Sequence, residues 1–181
     1  MADELDSYGL GLKQGQNRLA DYNPSWHDAF LAEQNRLLHA LSAVTSHVEH
    51  YGSTAVPGLP AKPILDILVG VSPLSRWHEC HEPLLALGYD YAADAGVPGH
   101  HIFGRGRDRT ERTHLVHVVE FDGESWRSNL AFRDALRANR SLRDHYLAIK
   151  RAAIEIAPED RTAYNAQKSE AIARLKAALT P

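Results

Sequence analysis

One apolar stretch of this sequence carries a charge where a covered β-strand rarely tolerates one. Residues 64–71 read ILDILVGV, with apolar residues on both faces, which is typical of a central strand covered on both sides. An ionised carboxylate at Asp66 would be costly in that setting unless a partner offset its charge. Asp66 is therefore either a paired structural group or a residue that holds a cation for chemistry.

The segment before this strand supplies a reason for the charge. It runs from Gly52 to Pro63, begins with a Gly-Ser pair and contains three prolines. Glycine permits close approach of the backbone to a phosphate, and Ser53, Thr54 and free backbone N–H groups can then bind that phosphate. A carboxylate beside a phosphate site suggests a divalent cation, Mg²⁺ or Mn²⁺, with Asp66 as a ligand.

Composition limits the class of protein. The chain has 181 residues, of which 44% are hydrophobic and 24% are charged, as expected for one globular domain. No apolar run reaches the roughly 18–20 residues of a spanning helix, the N-terminus lacks a signal-peptide core, and a single cysteine excludes an intramolecular disulfide framework. We therefore expect a cytoplasmic protein without a membrane partner.

Charge is distributed unevenly along the chain. The net charge of −3 argues against general nucleic-acid binding. Residues 1–125 carry 9 Lys and Arg against 17 Asp and Glu, whereas residues 126–181 carry 11 against 6. The basic C-terminal part either faces an anionic ligand such as a nucleotide phosphate or presents ordinary solvated helix surfaces.

Hydrophobic periodicity predicts an α+β fold. Residues 1–19 are polar and without a clear period, which predicts a loose arm, and residues 20–181 form a single domain. We expect a mixed sheet of four or five strands with flanking helices and a helical C-terminal third. The predicted helices are 24–43, 73–87 and three more after residue 126; the predicted strands include SHVEHY, 64–71, YDYAA, HHIFGR and THLVHVVEF.

The opening motif resembles the signature of the nucleotidyltransferase superfamily, in which Gly-Ser is followed after a loop by Asp-apolar-Asp on a strand. The resemblance narrows to the GrpB family of small predicted nucleotidyltransferases and covers residues from about 20 to 178. It rests, in order, on YNPSWHDAF, HYGSTAVPGLPAKPILDILVGV, RTHLVHVVE, LAFRDALRAN, HYLAIKRA and AYNAQK. It implies a nucleotidyltransferase-type fold. The domain also occurs fused to dephospho-CoA kinase, which hints at nucleotide or coenzyme chemistry.

One position departs from the superfamily pattern. Residues two apart on a strand share a face, so a two-metal site built on one strand needs carboxylates at i and i+2. Leu68 stands where the second carboxylate is expected. Either another element supplies the missing ligand, or the protein binds its ligand without the usual catalysis.

The strand THLVHVVEF is the obvious donor of a replacement. His114 shares a face with Glu120, while His117 lies on the other face, so the two histidines cannot both ligate one metal from a regular strand. We favour His117 as the second metal-site residue, in agreement with the family pattern, with a hydrogen-bonded core histidine as the alternative. His117 or Glu120 would complete the site or act as a base. Glu49 and His50 face opposite sides, and either lines the pocket.

Several cations are candidates for nucleotide binding. Lys62 lies at the exit of the proline-rich loop, and Arg105 follows a strand beside a glycine. Arg133 and Lys150 lie in the GrpB-like helical segments and are the expected carriers of the basic C-terminal charge. For Lys62 and Arg105 the alternative is an ordinary solvated side chain.

Two clusters are weaker candidates. Residues 77–82, WHECHE, resemble a zinc cluster, but Cys80 falls near the apolar stripe and no second ligand pair has zinc-finger spacing. His100 and His101 point to opposite faces, which disfavours a paired metal role. Ser53 lacks the Gly-x-Ser-x-Gly context of a hydrolase.

Three functions follow. The first is metal-dependent transfer of a nucleoside monophosphate from a nucleoside triphosphate to a small acceptor. The second is a non-catalytic nucleotide- or coenzyme-binding module that has lost a carboxylate at Leu68, and the third is an interaction domain in which Asp66 is structural. The sequence leaves open the acceptor, the base preference and the oligomeric state.

Overall fold

The computed structural model describes residues 7–93, 97–108, 110–158 and 171–176. Among the described residues it contains seven strands and four α-helices, and residues 171–176 are also helical. The strands are β1 Leu12–Lys13, β2 His47–Tyr51, β3 Leu65–Val71, β4 Asp90–Tyr91, β5 His101–Arg105, β6 Glu111–Arg112 and β7 His114–Glu120. The helices are α1 Ser25–Ala40, α2 His81–Ala86, α3 Glu124–Ala138 and α4 Arg140–Ile156.

Five of these strands form one mixed sheet in the order β2-β3-β7-β5-β4. The central pair, β3 and β7, is parallel, and each of the other pairs is antiparallel. Strands β1 and β6 make a separate two-stranded antiparallel sheet. The predicted α+β fold with a five-stranded mixed sheet is confirmed.

One face of the large sheet packs on α1. The helix buries an apolar stripe that includes Trp26, Phe30 and Leu37 against the inward residues of the central strands. On β3 these are residues 65, 67, 69 and 71, and on β7 they are Val116 and Val118. This is the main hydrophobic core, and we call this side the core face.

The opposite face carries Asp66, and α3 and α4 lie on that side. Leu68 on β3 packs with Val119 and Trp126, and a second cluster joins Phe132 and Tyr146 to the loop before β3. We call this side the site face. Alternation along β3 explains why one strand serves two environments, since adjacent residues point to opposite faces.

Two local predictions change in the structure, and a third falls mostly outside the described residues. Residues 73–87 form a 3₁₀ segment, Leu74–Cys80, followed by the short helix α2 rather than one continuous helix. Residues 7–19, part of the predicted loose arm, lie against the domain: Leu10 and Leu12 are buried, and β1 pairs with β6. Most of the third C-terminal helix predicted after Pro158 lies outside the described residues.

Among the described residues, no helix has both the length and the apolar character needed to cross a membrane. Cys80, from the cluster that resembles a zinc site, is a fully buried member of the core-face cluster.

Candidate functional site

The backbone of Gly52 lies close against the side chain of Asp66. Gly52 directly follows β2 and has a φ of +71°, and a Cβ added there would lie 2.9 Å from the Asp66 Cβ and 3.1 Å from its Cγ. An L-residue would be strained by this φ and would also collide with the carboxylate-bearing side chain. The glycine therefore places the backbone of the Gly-Ser turn directly on Asp66.

Hydrogen bonds of Thr54 and Arg137 fix the turn after Gly52. Residues Ser53–Ala55 form one 3₁₀ turn, in which Thr54 is buried. The Thr54 hydroxyl lies 3.0 Å from His50 Nε2 and 3.3 Å from the carbonyl oxygen of Ile64. Arg137 Nε donates to the carbonyl of Ala55 at 2.9 Å. Thr54 is thus a support for the turn, and Ser53, which is partly exposed, is its accessible hydroxyl.

Helix α4 fixes the proline-rich loop. Lys150 is 2% exposed, and its Nζ donates to the carbonyl of Pro60 at 2.7 Å while lying 5.4 Å from the centre of the Tyr146 ring. The Tyr146 hydroxyl is 3.5 Å from the Ser53 hydroxyl. Lys62 donates to Asn17 Oδ1 at 2.6 Å. The structure therefore makes Lys150 a tether of the loop, and it joins Lys62 to the N-terminal segment through Asn17.

Two residues that the sequence did not single out for the site lie beside Asp66 or His117. Tyr51 pairs with Asp66 in the β2–β3 register, and its ring meets the His117 ring edge-on, with centroids 5.4 Å apart. Burial first and then the charge of Asp66 raise the pKa of Tyr51 well above its ordinary value. His100 Nδ1 lies 3.2 Å from His117 Nδ1. Tyr51, His117 and His100 thus make a row across the site face.

The register places His117 diagonally from Asp66. His117 pairs with Leu68 across the parallel β3–β7 ladder, and Asp66 pairs with Leu115. The prediction that His114 and His117 face opposite sides is confirmed, because His114 is buried on the core face and lies 3.3 Å from Arg105 Nη2.

Arg133 joins the edge of the site face to the turn. Its Nη1 donates to Glu49 Oε2 and to the carbonyl of His50, both at 2.8 Å. Glu49 pairs with Leu68 in the β2–β3 register and is therefore diagonal to Asp66 on the same face. His50 faces the core, where its ring stacks on Phe30 with centroids 4.6 Å apart. Of the two, Glu49 is the residue on the same face as Asp66.

Leu68 occupies a closed apolar environment. It is fully buried and packs with Val119 and Trp126, and Tyr51 and Leu130 cover the same cluster. The position where a second carboxylate was expected is therefore filled by side chains that exclude a charge.

Two predicted site residues lie away from Asp66. Glu120 is on the core-face side of β7, pairs with Val71 at the far end of the ladder, and accepts a hydrogen bond from the backbone N–H of Leu74. Arg105 donates to the buried Glu33 at 2.6 Å on the core face. The parity of each strand, which sets the face, explains both placements.

No group of three or more His, Cys, Asp and Glu side chains within the described ranges is arranged to hold a metal ion. A resident ion with three protein ligands therefore does not fit this part of the chain. A cavity of about 400 Å³ lies elsewhere, between residues 17–21, Pro60 and the last turns of α4.

The sequence did not single out Tyr51 for the site and disfavoured His100, because their contacts depend on register between strands distant in the chain. Tyr51 could have been found, since it directly precedes the Gly-Ser pair and shares the face of Glu49. His100 carried no such signal, because its partner lies 17 residues away across a turn.

Comparisons with known proteins identify the family of this chain. The family model described as GrpB protein matches residues 16–178. A UPF0157 protein of Streptomyces coelicolor is 40% identical over 159 residues, covering 87% of this chain and 81% of that protein. The glutamate-rich protein GrpB of Alkalihalophilus pseudofirmus is 32% identical, covering 89% and 94%. A dephospho-CoA kinase of Mycolicibacterium paratuberculosis is 33% identical over 83% of this chain but only 43% of its own length.

Superposition on solved structures identifies the fold. The crystal structure of GrpB from Enterococcus faecalis superposes with a TM-score of 0.78 at 31% identity, covering 90% of this chain and 96% of that one. The structure of Cid1 in complex with the UTP analog UMPNPP superposes with a TM-score of 0.50 at 13% identity, covering 75% and 42%. The second likeness shows the fold alone.

Proposed function

Because this chain belongs to the GrpB family and has a nucleotidyltransferase-type fold, we propose that it binds a nucleoside triphosphate at the Gly52–Asp66 site. The bound triphosphate would then transfer its nucleoside monophosphate to a small acceptor. The observation that carries the proposal is the contact of the Gly52 backbone with Asp66, which puts the Ser53 turn and a carboxylate at one point. Backbone N–H groups of such a turn bind phosphate oxygens.

A divalent cation fits this site only in company with the nucleotide. Mg²⁺ is commonly bound by one or two carboxylates together with substrate phosphates, so Asp66 suffices where three protein ligands are not available. The cation would neutralise charge on the phosphate oxygens. The remaining work falls to the chain: Ser53 and the turn position the phosphates, while Arg133, Thr54 and Tyr146 hold the turn.

The transfer is a displacement at the α-phosphorus. An acceptor oxygen forms the new bond to phosphorus, the bond to the pyrophosphate oxygen breaks, pyrophosphate leaves, and the acceptor proton passes to solvent or buffer. Positioning and charge neutralisation account for most of such catalysis, which suits a site with few chemical groups.

The buried environment of Leu68 favours a second candidate function, a module that binds a nucleotide or coenzyme without turnover. The similarity to part of a dephospho-CoA kinase supports a ligand of this class. The two functions share the binding site and differ only in pyrophosphate release.

Calorimetric titration with ATP, GTP, CTP and UTP, in Mg²⁺, in Mn²⁺ and in EDTA, tests the shared site. We expect metal-dependent binding of at least one triphosphate, lowered at least tenfold in affinity by Asp66→Asn. Glu120→Gln is the matched control, because it makes the same change on the opposite face and should leave binding unchanged. Absence of binding to every triphosphate would overturn the proposal, and binding without pyrophosphate release would select the non-catalytic module.

A further inference from the structure

The guanidinium of Arg112 lies flat on the backbone of β5. A Cβ added at Gly104 would lie 2.9 Å from Arg112 Cζ, 3.0 Å from its Nη1 and 3.1 Å from its Nε. The carbon can be the nearest of these three atoms only where the guanidinium turns its face, and not its edge, toward Gly104. The glycine therefore makes room for a planar cation that packs directly on the strand.

A carboxylate fixes the orientation of this plane. Arg112 Nη2 donates to Asp90 Oδ2 at 2.7 Å, and Nη1 donates to Oδ1 of the same carboxylate. A bidentate pair of this kind holds the guanidinium in one geometry. The Arg112 side chain is 17% exposed. Because one face lies on Gly104 and the terminal nitrogens meet Asp90, the exposed part belongs to the face turned away from the sheet and to the Nε edge.

The register of the sheet aligns this plane with Asp66. Asp66 pairs with Leu115 on β7, and Leu115 pairs with Gly104 on β5. Gly104 pairs in turn with Asp90 on β4. Paired residues share a face, so the whole row lies on the site face. Neighbouring strands are about 4.8 Å apart, which puts Gly104, and the Arg112 plane over it, about 10 Å from Asp66.

This row stays clear of the closed environment of Leu68. The apolar cluster around Leu68 lies two residues further along β3 than Asp66. Asp66, Leu115 and Arg112 are each partly exposed. A phosphate bound at the Ser53 turn would leave the sugar over Leu115 and the base at the Arg112 plane, because two strand spacings are of the order of the distance from the phosphates to the base in an extended nucleotide.

We propose that Arg112, held over Gly104 by Asp90, is the surface on which the base of the bound nucleotide stacks. A guanidinium plane stacks on flat aromatic rings and is attracted to their faces. Unstacked bases are recognised in this way by arginine planes. A purine has a larger face than a pyrimidine, so the site should prefer ATP and GTP to CTP and UTP. This inference rests on the proposed nucleotide site and adds the class of base that it takes.

The test compares the nucleotides with ribose 5-triphosphate, which has the same phosphates and sugar but no base. In the Mg²⁺ titrations above, wild type should bind ATP or GTP about 2- to 30-fold more tightly than ribose 5-triphosphate. Arg112→Lys keeps the charge but removes the plane, and Gly104→Ala keeps Arg112 but pushes its plane off the backbone. Both variants should bring this ratio close to one and leave the affinity for ribose 5-triphosphate unchanged. Gly104→Ala is expected to fold, because only the end of a flexible side chain has to move.

Arg76→Lys is the matched control. Arg76 also donates two hydrogen bonds to one carboxylate, that of Glu79, but it lies on the 3₁₀ segment, so its replacement should leave the ratio as in wild type.

Three results would overturn the stacking surface. They are equal affinity of wild type for ribose 5-triphosphate and for the four nucleotides, tighter binding of pyrimidine than of purine nucleotides, and an unchanged ratio in both Arg112→Lys and Gly104→Ala. Absence of binding to ribose 5-triphosphate and to every nucleotide instead overturns the proposed function and the stacking surface with it.

Discussion

Two glycines on the site face each make room for a neighbour, and the neighbours differ in chemistry. The backbone of Gly52 lies against Asp66, whereas Gly70, on the same strand as Asp66, lies under Phe121 and Trp126, each about 3.0 Å from the position of an added Cβ. One end of the face therefore carries the partly exposed Asp66, and the other is closed by aromatic rings. Because Asp66 and Leu68 are only two residues apart, the boundary between the two environments falls within one strand.

This boundary explains why position 68 is unsuited to a second carboxylate. A carboxylate at position 68 would meet Trp126 and Val119 instead of phosphate oxygens or water. Where the resemblance to nucleotidyltransferases predicts a second carboxylate, this chain packs Leu68 against Trp126 of α3.

The largest effect on stability is expected when a carboxylate is placed at the aromatic end of the site face. Leu68→Asp places a charge in the fully buried cluster and should cost about 5 kcal/mol of unfolding free energy, because the carboxylate would pack among the apolar side chains of that cluster. Urea unfolding measures this loss. Leu68→Met is the control and should cost less than about 1.5 kcal/mol. A folded Leu68→Asp variant that gains Mg²⁺ affinity would show that the closed end is a latent half of the site.

The next effect tests whether Gly52 is chosen for its contact or only for its backbone conformation. Gly52→Ala should lower the unfolding free energy by about 3 kcal/mol, because the backbone conformation of Gly52, with φ +71° and ψ −170°, costs an L-residue about 1–3 kcal/mol and the new Cβ displaces Asp66. It should also abolish triphosphate binding.

Gly58→Ala separates the two causes. Gly58 has a similar φ of +76° but no atom within 4 Å of an added Cβ, so this variant should lose about 1–2 kcal/mol and keep binding. Equal losses in the two variants, measured by urea unfolding, would contradict a specific role for the Gly52–Asp66 contact.

A smaller, pH-dependent effect on stability is expected from His50. Burial and the charges of Arg137, His27 and Arg133 lower the pKa of His50 from 6.5 to about 3, so between these values the unfolded chain binds the proton and the folded chain does not. Stability from this group is therefore complete above pH 6.5 and falls as the pH drops toward 3. Between pH 7 and pH 5 the loss should be about 2 kcal/mol.

Comparison with His50→Gln isolates this contribution. The buried His114 also has a lowered pKa and acts in the same direction, but it is present in both proteins and cancels in the difference. Urea unfolding at pH 5 and pH 7 should show a smaller pH dependence in the variant by about 2 kcal/mol. Identical pH dependence would mean that His50 is protonated in the folded protein and that the Thr54 support is not a neutral hydrogen bond.

Local sequence patterns predicted the helices and strands well, but they predicted less well which of these elements pair with one another. Alternation identified β3 and the opposite faces of His114 and His117, and the apolar stripe from Trp26 located α1 within a few residues. The pairing of β1 with β6 was not visible, because each strand has two residues and too short a pattern to signal itself. Residues 73–87 followed a helical period, but the structure uses a 3₁₀ segment for half of them.

The candidate site was predictable where it is continuous in the chain. Gly52, Ser53 and Asp66 belong to one segment, and the structure brings them together. Lys150 and Arg105 are charged residues with suitable chemistry, but side-chain direction decided their partners: a loop carbonyl for Lys150 and the buried Glu33 for Arg105. A cation that satisfies a buried carbonyl or carboxylate looks the same in sequence as one that binds a ligand.

The parallel pairing of β3 with β7 has a consequence for how the protein is made. The hairpin-like pair β2–β3 is local, but β7 reaches β3 only after some forty residues of intervening chain have been synthesised. Such long-range pairing slows folding and prolongs exposure of unpaired strand edges. During synthesis, one edge of β3 therefore stays unpaired until His114–Glu120 has left the ribosome. Asp66, a charge in an otherwise apolar strand, would discourage edge-to-edge association during that interval.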